Sequence, residues 1–301
     1  MKEKSAFIAI IGRPNVGKSS LMNKVLGQKV AIVSNKPQTT RTKIMGVMTK
    51  GAVQTVFIDT PGFHKPRNEL DKNMNKAVGE GMADVDAAIL VVEAVTPFKL
   101  DPGSIPPGEI ELLKELKKRK IKSILVINKI DTVPAENLFP VIAMYKERFD
   151  FTEIIPISAK EGDGVELVLD QVEKFIPEGY PLFPEDMVSD QPERAMIAEI
   201  IREKLLNSLN REVPHGTAVE ITKFSERENE IIDVCATIYC EKDSHKGIII
   251  GKRGAMLKKI SSESREEIER FMGTKVYLET WVKVKENWRE SDFLLRNFGY
   301  E

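Results

Sequence analysis

From residue 6 to residue 176 the chain alternates short apolar runs with amphipathic stretches. The runs are AFIAIIG, VQTVFID, AAILVVE, SILVINK and IIPIS. They are rich in Val and Ile and lack polar alternation, which predicts strands covered on both faces. Helical periodicity between them predicts helices at about 19–26, 109–120, 138–149 and 164–175. Strands that alternate with helices in this way predict an α/β domain built on a mostly parallel, doubly wound sheet.

Residues 177–192 hold four prolines, Gly179 and several acids. That composition stops a helix and suits an exposed connection. The reading is a first domain over 1–180, a linker over 181–192 and a second domain over 193–301. In the second, the pattern becomes helix (193–209), strand (218–224), a turn at Glu228-Asn229 and strand (231–239). A glycine-punctuated helix pair and a strand at 275–285 follow, the order of a smaller α+β domain.

Composition agrees with two packed domains: 301 residues, 42% hydrophobic and 30% charged, exclude disorder and collagen-like or disulfide-framework classes. The longest apolar stretch, 87–95, contains Glu93 and falls short of the ~20 residues that cross a bilayer. The short apolar run after Lys2, Glu3 and Lys4 is too brief for a secretory core segment. Cys235 and Cys240 lie five apart in a strand-like run, so they point to opposite faces and do not bridge. A reducing, cytoplasmic setting is expected. Net charge is -1, so a polyanionic partner must be met by a local patch.

Candidate chemistry begins at Gly12-Arg-Pro-Asn-Val-Gly17-Lys18-Ser19, a G-x-x-x-x-G-K-[ST] loop between a predicted strand and a predicted helix. Its glycines, Asn15, Val16 and the following Ser20 bring backbone N–H groups to phosphate oxygens. Lys18 reaches the β and γ phosphates, and Ser19 supplies a hydroxyl to Mg²⁺. Asp59-Thr-Pro-Gly62 ends the second apolar run, where Asp59 holds Mg²⁺ through water and the Gly62 N–H meets the γ-phosphate. Asn128-Lys129-Ile-Asp131 follows SILVI at the strand edge where open α/β sheets bind ligands. The Asp131 carboxylate accepts from N1–H and the N2 amine of guanine, and adenine offers neither match. Ser158-Ala159-Lys160 closes the set, which resembles the translation-factor class of small GTPases.

Near the other end stands Gly251-Lys252-Arg253-Gly254. Nineteen glycines make one such spacing expected by chance, so its context carries the reading. KGIII precedes it and AMLKKI follows, and together they resemble a KH domain, in which this loop clamps backbone nucleotides between helices. From 242 to 259, six cations, among them Lys246 and Lys258, face Asp243 alone, in a region from 181 onward whose net charge is -4. Lys246, Gly247 and the loop itself are candidate RNA contacts, with Ile248, Ile249 and Ile250 as an apolar floor for bases. Trp281 is expected to pack within a strand; Trp288, Phe298 and Tyr300 are left open between stacking and packing.

The phosphate loop, Gln38-Thr-Thr-Arg41, DTPG, NKID and the C-terminal glycine loop together resemble the Era family of ribosome-associated GTPases. The resemblance spans nearly the whole chain. It implies an α/β P-loop GTPase domain followed by a KH domain of the prokaryotic type. Its implied ligands are GTP and GDP with Mg²⁺, and its implied partner is 16S ribosomal RNA near the 3′ end during small-subunit assembly. Thr40 is the implied switch threonine on Mg²⁺, with Thr39 and Thr42 as alternatives. Asn15 occupies the place where related loops hold K⁺, the alternative being bonds within its own loop. Phe63 stands where Ras-like switches carry glutamine, so slow intrinsic hydrolysis is expected, and His64 reads as a surface residue. A monomer is the default. The competing reading gives the second domain a protein partner or an anionic membrane surface, placing the chain peripherally at the inner face of the cell membrane.

Overall fold

A computed structural model describes residues 2–94, 104–227 and 230–300. The expected turn at Glu228-Asn229 and the end of the apolar stretch at Val95 lie outside the described residues. Packing divides the chain into two compact units: Met1–Ala31, Thr40–Arg67 and Asp71–Asp190 form the first, and Ile32–Thr39, Asn68–Leu70 and Gln191–Glu301 the second.

The first unit holds a six-stranded sheet in the order β2-β3-β1-β4-β5-β6. The strands are β1 (Lys4–Gly12), β2 (Ile44–Lys50), β3 (Val53–Asp59), β4 (Ala87–Glu93), β5 (Ser123–Asn128) and β6 (Glu153–Pro156). All pairings are parallel except β2 with β3. Helices α1 (Lys18–Leu26), α2 (Glu69–Gly81), α3 (Pro107–Arg119), α4 (Leu138–Lys146) and α5 (Val165–Glu173) connect them.

Unbroken apolar runs are explained by two cores. Along β1, Ala6, Ile8 and Ile10 face one cluster with Leu21 and Met22 of α1 and Val168 and Val172 of α5. Ala9 and Ile11 face the other, with Leu112 and Leu116 of α3 and Val141 and Tyr145 of α4. Successive side chains alternate between cores because strand periodicity is two.

Sequence periodicity did not single out β2 or α2. β2 is a seven-residue edge strand whose run is broken by Gly46 and Thr49, and α2 (ELDKNMNKAVGEG) buries Met74, Ala77 and Val78 at helical spacing, a stripe that linear periodicity passes over because polar residues separate it. Residues 181–190, expected as an exposed connection, are exposed over much of their length and are also tied to the first unit. The buried Gln54 side chain accepts from the N–H groups of Leu182 and Phe183 and donates to the Phe183 carbonyl. Val47 N–H donates to Val188 O at 2.8 Å. Prolines stop a helix here, but one buried amide captures the backbone.

The second unit comprises α6 (Glu193–Ser208), β7 (Ala218–Glu226), β8 (Ile232–Cys240), α7 (Asp243–Ile250), α8 (Ala255–Met272), β9 (Val276–Val284) and α9 (Asp292–Asn297). Its sheet runs β7-β8-β9, antiparallel then parallel. Ile197, Ile200 and Leu205 of α6 and Ile260 and Ile268 of α8 cover Val234, Ala236 and Ile238 of β8. Within this unit, fully buried Arg202 donates to the carbonyls of Gln38 and Thr39, and Glu203 accepts from the Val33 N–H at 2.8 Å. Cys235 and Cys240 are free thiols. Among the described residues, no helix is long and apolar enough to cross a membrane.

The two tryptophans have opposite surroundings. Trp288 is fully buried, donates to the Gly216 carbonyl at 3.0 Å and meets Phe298 edge-on, with Tyr300 beside it. Those three aromatics therefore pack. Trp281, expected to pack, is 62% exposed, because Val276 and Val282 turn one face of β9 into the core and this residue lies on the other face. Acrylamide should quench the emission of Trp288→Phe, which retains Trp281, and leave that of Trp281→Phe nearly untouched. Trp288→Ala should cost about 3–5 kcal/mol in a urea titration, the range for emptying a large aromatic site. Equal quenching of the two Phe variants would refute this packing.

Candidate functional site

The first unit brings the expected motifs to one edge of its sheet, the carboxyl ends of β1, β3, β5 and β6. β1 ends at Gly12 and α1 begins at Lys18, so the intervening loop lies before a helix N-terminus, where free N–H groups and the helix dipole favour an anion. Asn15 in that loop takes a left-handed backbone, φ 64°.

Lys18 is buried, and its ammonium donates to the carbonyls of Gly12 and Arg13 at 3.2 and 3.0 Å. Burial lowers its pKa to about 8, against the opposing pull of Asp59. Asp59 is fully buried at the end of β3, and burial raises its pKa to about 6, with Lys18 and the Ser19 hydroxyl opposing. Ser19 donates to Asp59 Oδ2 at 2.5 Å, and its oxygen lies 2.9 Å from that of Thr40. Asp59 Oδ1 is buried with no hydrogen-bond partner. A buried carboxylate oxygen left unpaired beside two hydroxyls suits a hard cation with oxygen ligands. Of the three candidate threonines, Thr40 has its hydroxyl at this cluster, whereas Thr39 donates to the Lys36 carbonyl at 2.6 Å.

Asn128 joins three loops. Its amide donates to Val16 O at 2.8 Å, and its Oδ1 accepts from Ala159 N–H at 3.0 Å. A Cβ at Gly17 would lie 2.1 Å from the Asn128 nitrogen, so this position excludes any larger residue. Lys129 donates to Asn15 O at 2.7 Å and pairs with Glu93. Asp131, on the short turn Ile130–Thr132, accepts from Ser158 Oγ at 2.7 Å and remains exposed. Lys160 is exposed and pairs with Glu161. Ser20 follows on α1.

Gly62 packs on Pro14, and the next N–H, from Phe63, donates to Gly12 O at 3.1 Å. The Phe63 side chain packs against the core shared with α3 and α4. His64 is partly buried, with Nε2 3.2 Å from Asp71 and Nδ1 2.9 Å from Gly62 O, so it is a bound side chain and not a free surface one.

Two features escaped the sequence. Glu93 is the partner of Lys129, and Arg13 is braced by the fully buried Glu109 at 2.7 Å, which also accepts from the Tyr145 hydroxyl. Burial holds the Glu109 carboxyl above its usual range and the Tyr145 phenol far above its own. Glu109 reads as one more polar position at a helix start, and no local signal marks its partners.

In the second unit, Gly251 takes φ 73°, and a Cβ there would lie 2.6 Å from that of Met256. Lys252 and Arg253 are exposed, with Arg253 in a left-handed conformation. Among the described residues, neither these two nor Lys246 and Lys258 have an acidic partner. The expected apolar floor needs correction: Ile249 is fully buried in the core and Ile250 packs against it, leaving Ile248 at 50% exposure. The cause is that KGIII belongs to helix α7, whose periodicity sends adjacent residues in different directions. Gly247, on the same helix, is exposed.

A family model described as "50S ribosome-binding GTPase" matches residues 7–129, and a KH-domain model matches 212–289. The GTPase Era of Ruminiclostridium cellulolyticum is 50% identical over 301 residues, covering 100% of this chain and 99% of that protein. That of Clostridioides difficile is 49% identical, with 99% and 98% covered. Among solved structures, Aquifex aeolicus Era bound to GDP·AlF4⁻ superposes with a TM-score of 0.92 at 38% identity, covering 99% of each chain. Era in complex with MgGDPNP and nucleotides 1506–1542 of 16S ribosomal RNA gives 0.93 at 37%, again over 99% of each.

Asn128→Ala strands the Val16 carbonyl and the Ala159 N–H, each worth about 1–3 kcal/mol when buried unpaired. The variant should lower the stability of the first unit by about 2 kcal/mol or more, and Asn128→Asp, which sets a buried carboxylate oxygen against the Val16 carbonyl, by at least as much. A urea titration that places both at the parent midpoint would contradict the role of Asn128 as the link among three loops.

Proposed function

Because the chain belongs to the Era family of GTPases, we propose that it is a GTP-hydrolysing switch that binds 16S ribosomal RNA near its 3′ end and assists small-subunit assembly. The observation that carries this reading is the gathering of the phosphate loop, Asp59, Thr40, Asn128 and Asp131 at one sheet edge. Residues 1–180 supply the nucleotide site and 193–301 the RNA site, in a cytoplasmic monomer.

In this reading Gly12, Asn15, Val16, Gly17, Ser19 and Ser20 present N–H groups to the phosphates, and Lys18 neutralises the β and γ oxygens. Ser19, Thr40 and Asp59 hold Mg²⁺, which supplies charge neutralisation at the transferring phosphoryl group. The Gly62 N–H meets the γ-phosphate. Asp131 selects guanine, positioned by Ser158, while Asn128, Lys129, Ala159 and Lys160 shape the base pocket. K⁺ beside Asn15 is part of the same proposal. Phe63 offers no group to orient water, so intrinsic turnover is slow and waits on a partner. The exposed, unpaired Lys252 and Arg253, with Lys246, Lys258 and Ile248, form the RNA contact.

The pH dependence follows from two buried groups. Asp59, with its pKa raised to about 6, gains a proton as pH falls through that value and ceases to hold Mg²⁺. Lys18, lowered to about 8, loses its charge as pH rises through that value. GDP affinity of the nucleotide-free protein should therefore be highest between about 6 and 8, and the acid limb should vanish when Mg²⁺ is omitted. A flat profile with Mg²⁺ would remove both residues from these roles.

For the RNA reading, replacing Lys252 and Arg253 together by Asp should weaken binding to a 16S 3′-end fragment. The slope of log affinity against log salt should fall by about 1.4, near 0.7 for each lost phosphate contact on a single strand. GTP binding should persist. Unchanged RNA affinity, with binding to anionic vesicles lost instead, would favour the membrane alternative.

A further inference from the structure

A second concentration of positive charge lies on the first unit, away from the nucleotide loops. Residues 114–122 (KELKKRKIK) include Lys114, Lys117, Lys118, Arg119, Lys120 and Lys122 against Glu115 alone. Lys114 is matched by Glu111, and Lys118 and Arg119 by Glu115. Lys117, Lys120 and Lys122 are exposed and have no acidic partner among the described residues, and the same holds for Lys146 and Arg148 at the end of α4.

These five unmatched cations line one groove of about 870 Å³ between the end of α3, the end of α4 and the starts of β5 and β6. Its apolar lining includes Ile121, Ile142 and Ile154 with Phe149 and Phe151, whose rings lie 4.7 Å apart. Glu147, Asp150 and Glu153 line it too, leaving an excess of two positive charges. The groove opens at the amino ends of strands whose carboxyl ends carry Asn128 and Ser158, roughly 17 Å away at the rise of a parallel strand. An occupant there would not compete with nucleotide.

We propose that this groove is a second RNA contact, taking the sugar-phosphate backbone of a single-stranded segment on its lysines and Arg148 and base faces on its aromatic lining. Charge complementarity selects a polyanion over a neutral peptide, and half-buried phenylalanines beside cations suit stacked bases. Lysines left unmatched in a chain of net charge -1 are the electrostatic footprint of a backbone contact. The proposal rests on the reading that the chain binds ribosomal RNA and adds where on the molecule it does so.

The test uses the full chain with Lys117, Lys120 and Lys122 all replaced by Glu, positions exposed enough to leave the fold intact. Affinity for a ribosomal RNA fragment with single-stranded flanks is measured by anisotropy across a salt series, alongside the Lys252/Arg253 double variant. The groove variant should lose at least tenfold at low salt and lower the salt slope by about two, with GTP affinity unchanged. Ultraviolet crosslinking should place RNA on the peptide containing Phe149 and Phe151. If the loop variant flattens the slope and the groove variant does not, the groove proposal fails while the RNA reading stands. If neither variant changes RNA binding, both fail. Capture of a polyglutamate peptide by the parent, with RNA binding unaffected in the groove variant, would assign the groove to an acidic protein segment and overturn the proposal.

Discussion

The nucleotide site depends on a single buried amide. Asn128 donates to the loop after β1 and accepts from the loop after β6, while itself ending β5. Three segments that are distant in sequence are thereby held in one register, and Gly17 has no side chain because the amide occupies that space. Without this tie each loop would have to be ordered by its own turn chemistry, and the entropy of fixing several residues would oppose it. The parallel sheet beneath makes the tie possible, since all its parallel strands present carboxyl ends to the same edge.

Burial then sets the electrostatics. Lys18 and Asp59 share a water-poor pocket in which the loss of hydration outweighs the stabilisation that each lends the other's charge, so their pKa values move towards one another. Under the proposed function, a phosphate chain with a divalent ion would restore to both groups what burial took away. Arg13 is handled differently: Glu109 of α3, itself held by the Tyr145 hydroxyl of α4, accepts from it and fastens the phosphate loop to the core behind it. The second unit uses the opposite arrangement, with glycines bending an exposed loop whose cations have no acidic partner among the described residues. A site left unmatched in this way retains its full charge for a polyanion arriving from solvent.

Much of this was legible along the chain. Unbroken Val and Ile runs announce strands buried on both faces, and the glycine, lysine and aspartate spacings name their chemistry without any coordinates, because backbone turning and phosphate contact demand those residue types locally. What the linear pattern could not convey is partnership. A short edge strand such as β2 carries little of the unbroken apolar signal that burial on both faces imposes, and the narrow stripe of α2, Met74, Ala77 and Val78, is diluted by the polar residues around it. The Gln54 amide captured a proline-rich segment 128 residues away, and Glu109 found Arg13 across 96. Trp281 and Ile249 exchanged their expected exposure, because a strand whose one face enters the core turns alternate residues to solvent while a helix turns neighbouring residues apart. Side-chain chemistry is local and was therefore written in the sequence. Which charges were matched, which threonine met Ser19 and which lysines were left facing a groove depended on distances between segments remote along the chain, and only the folded arrangement decided those.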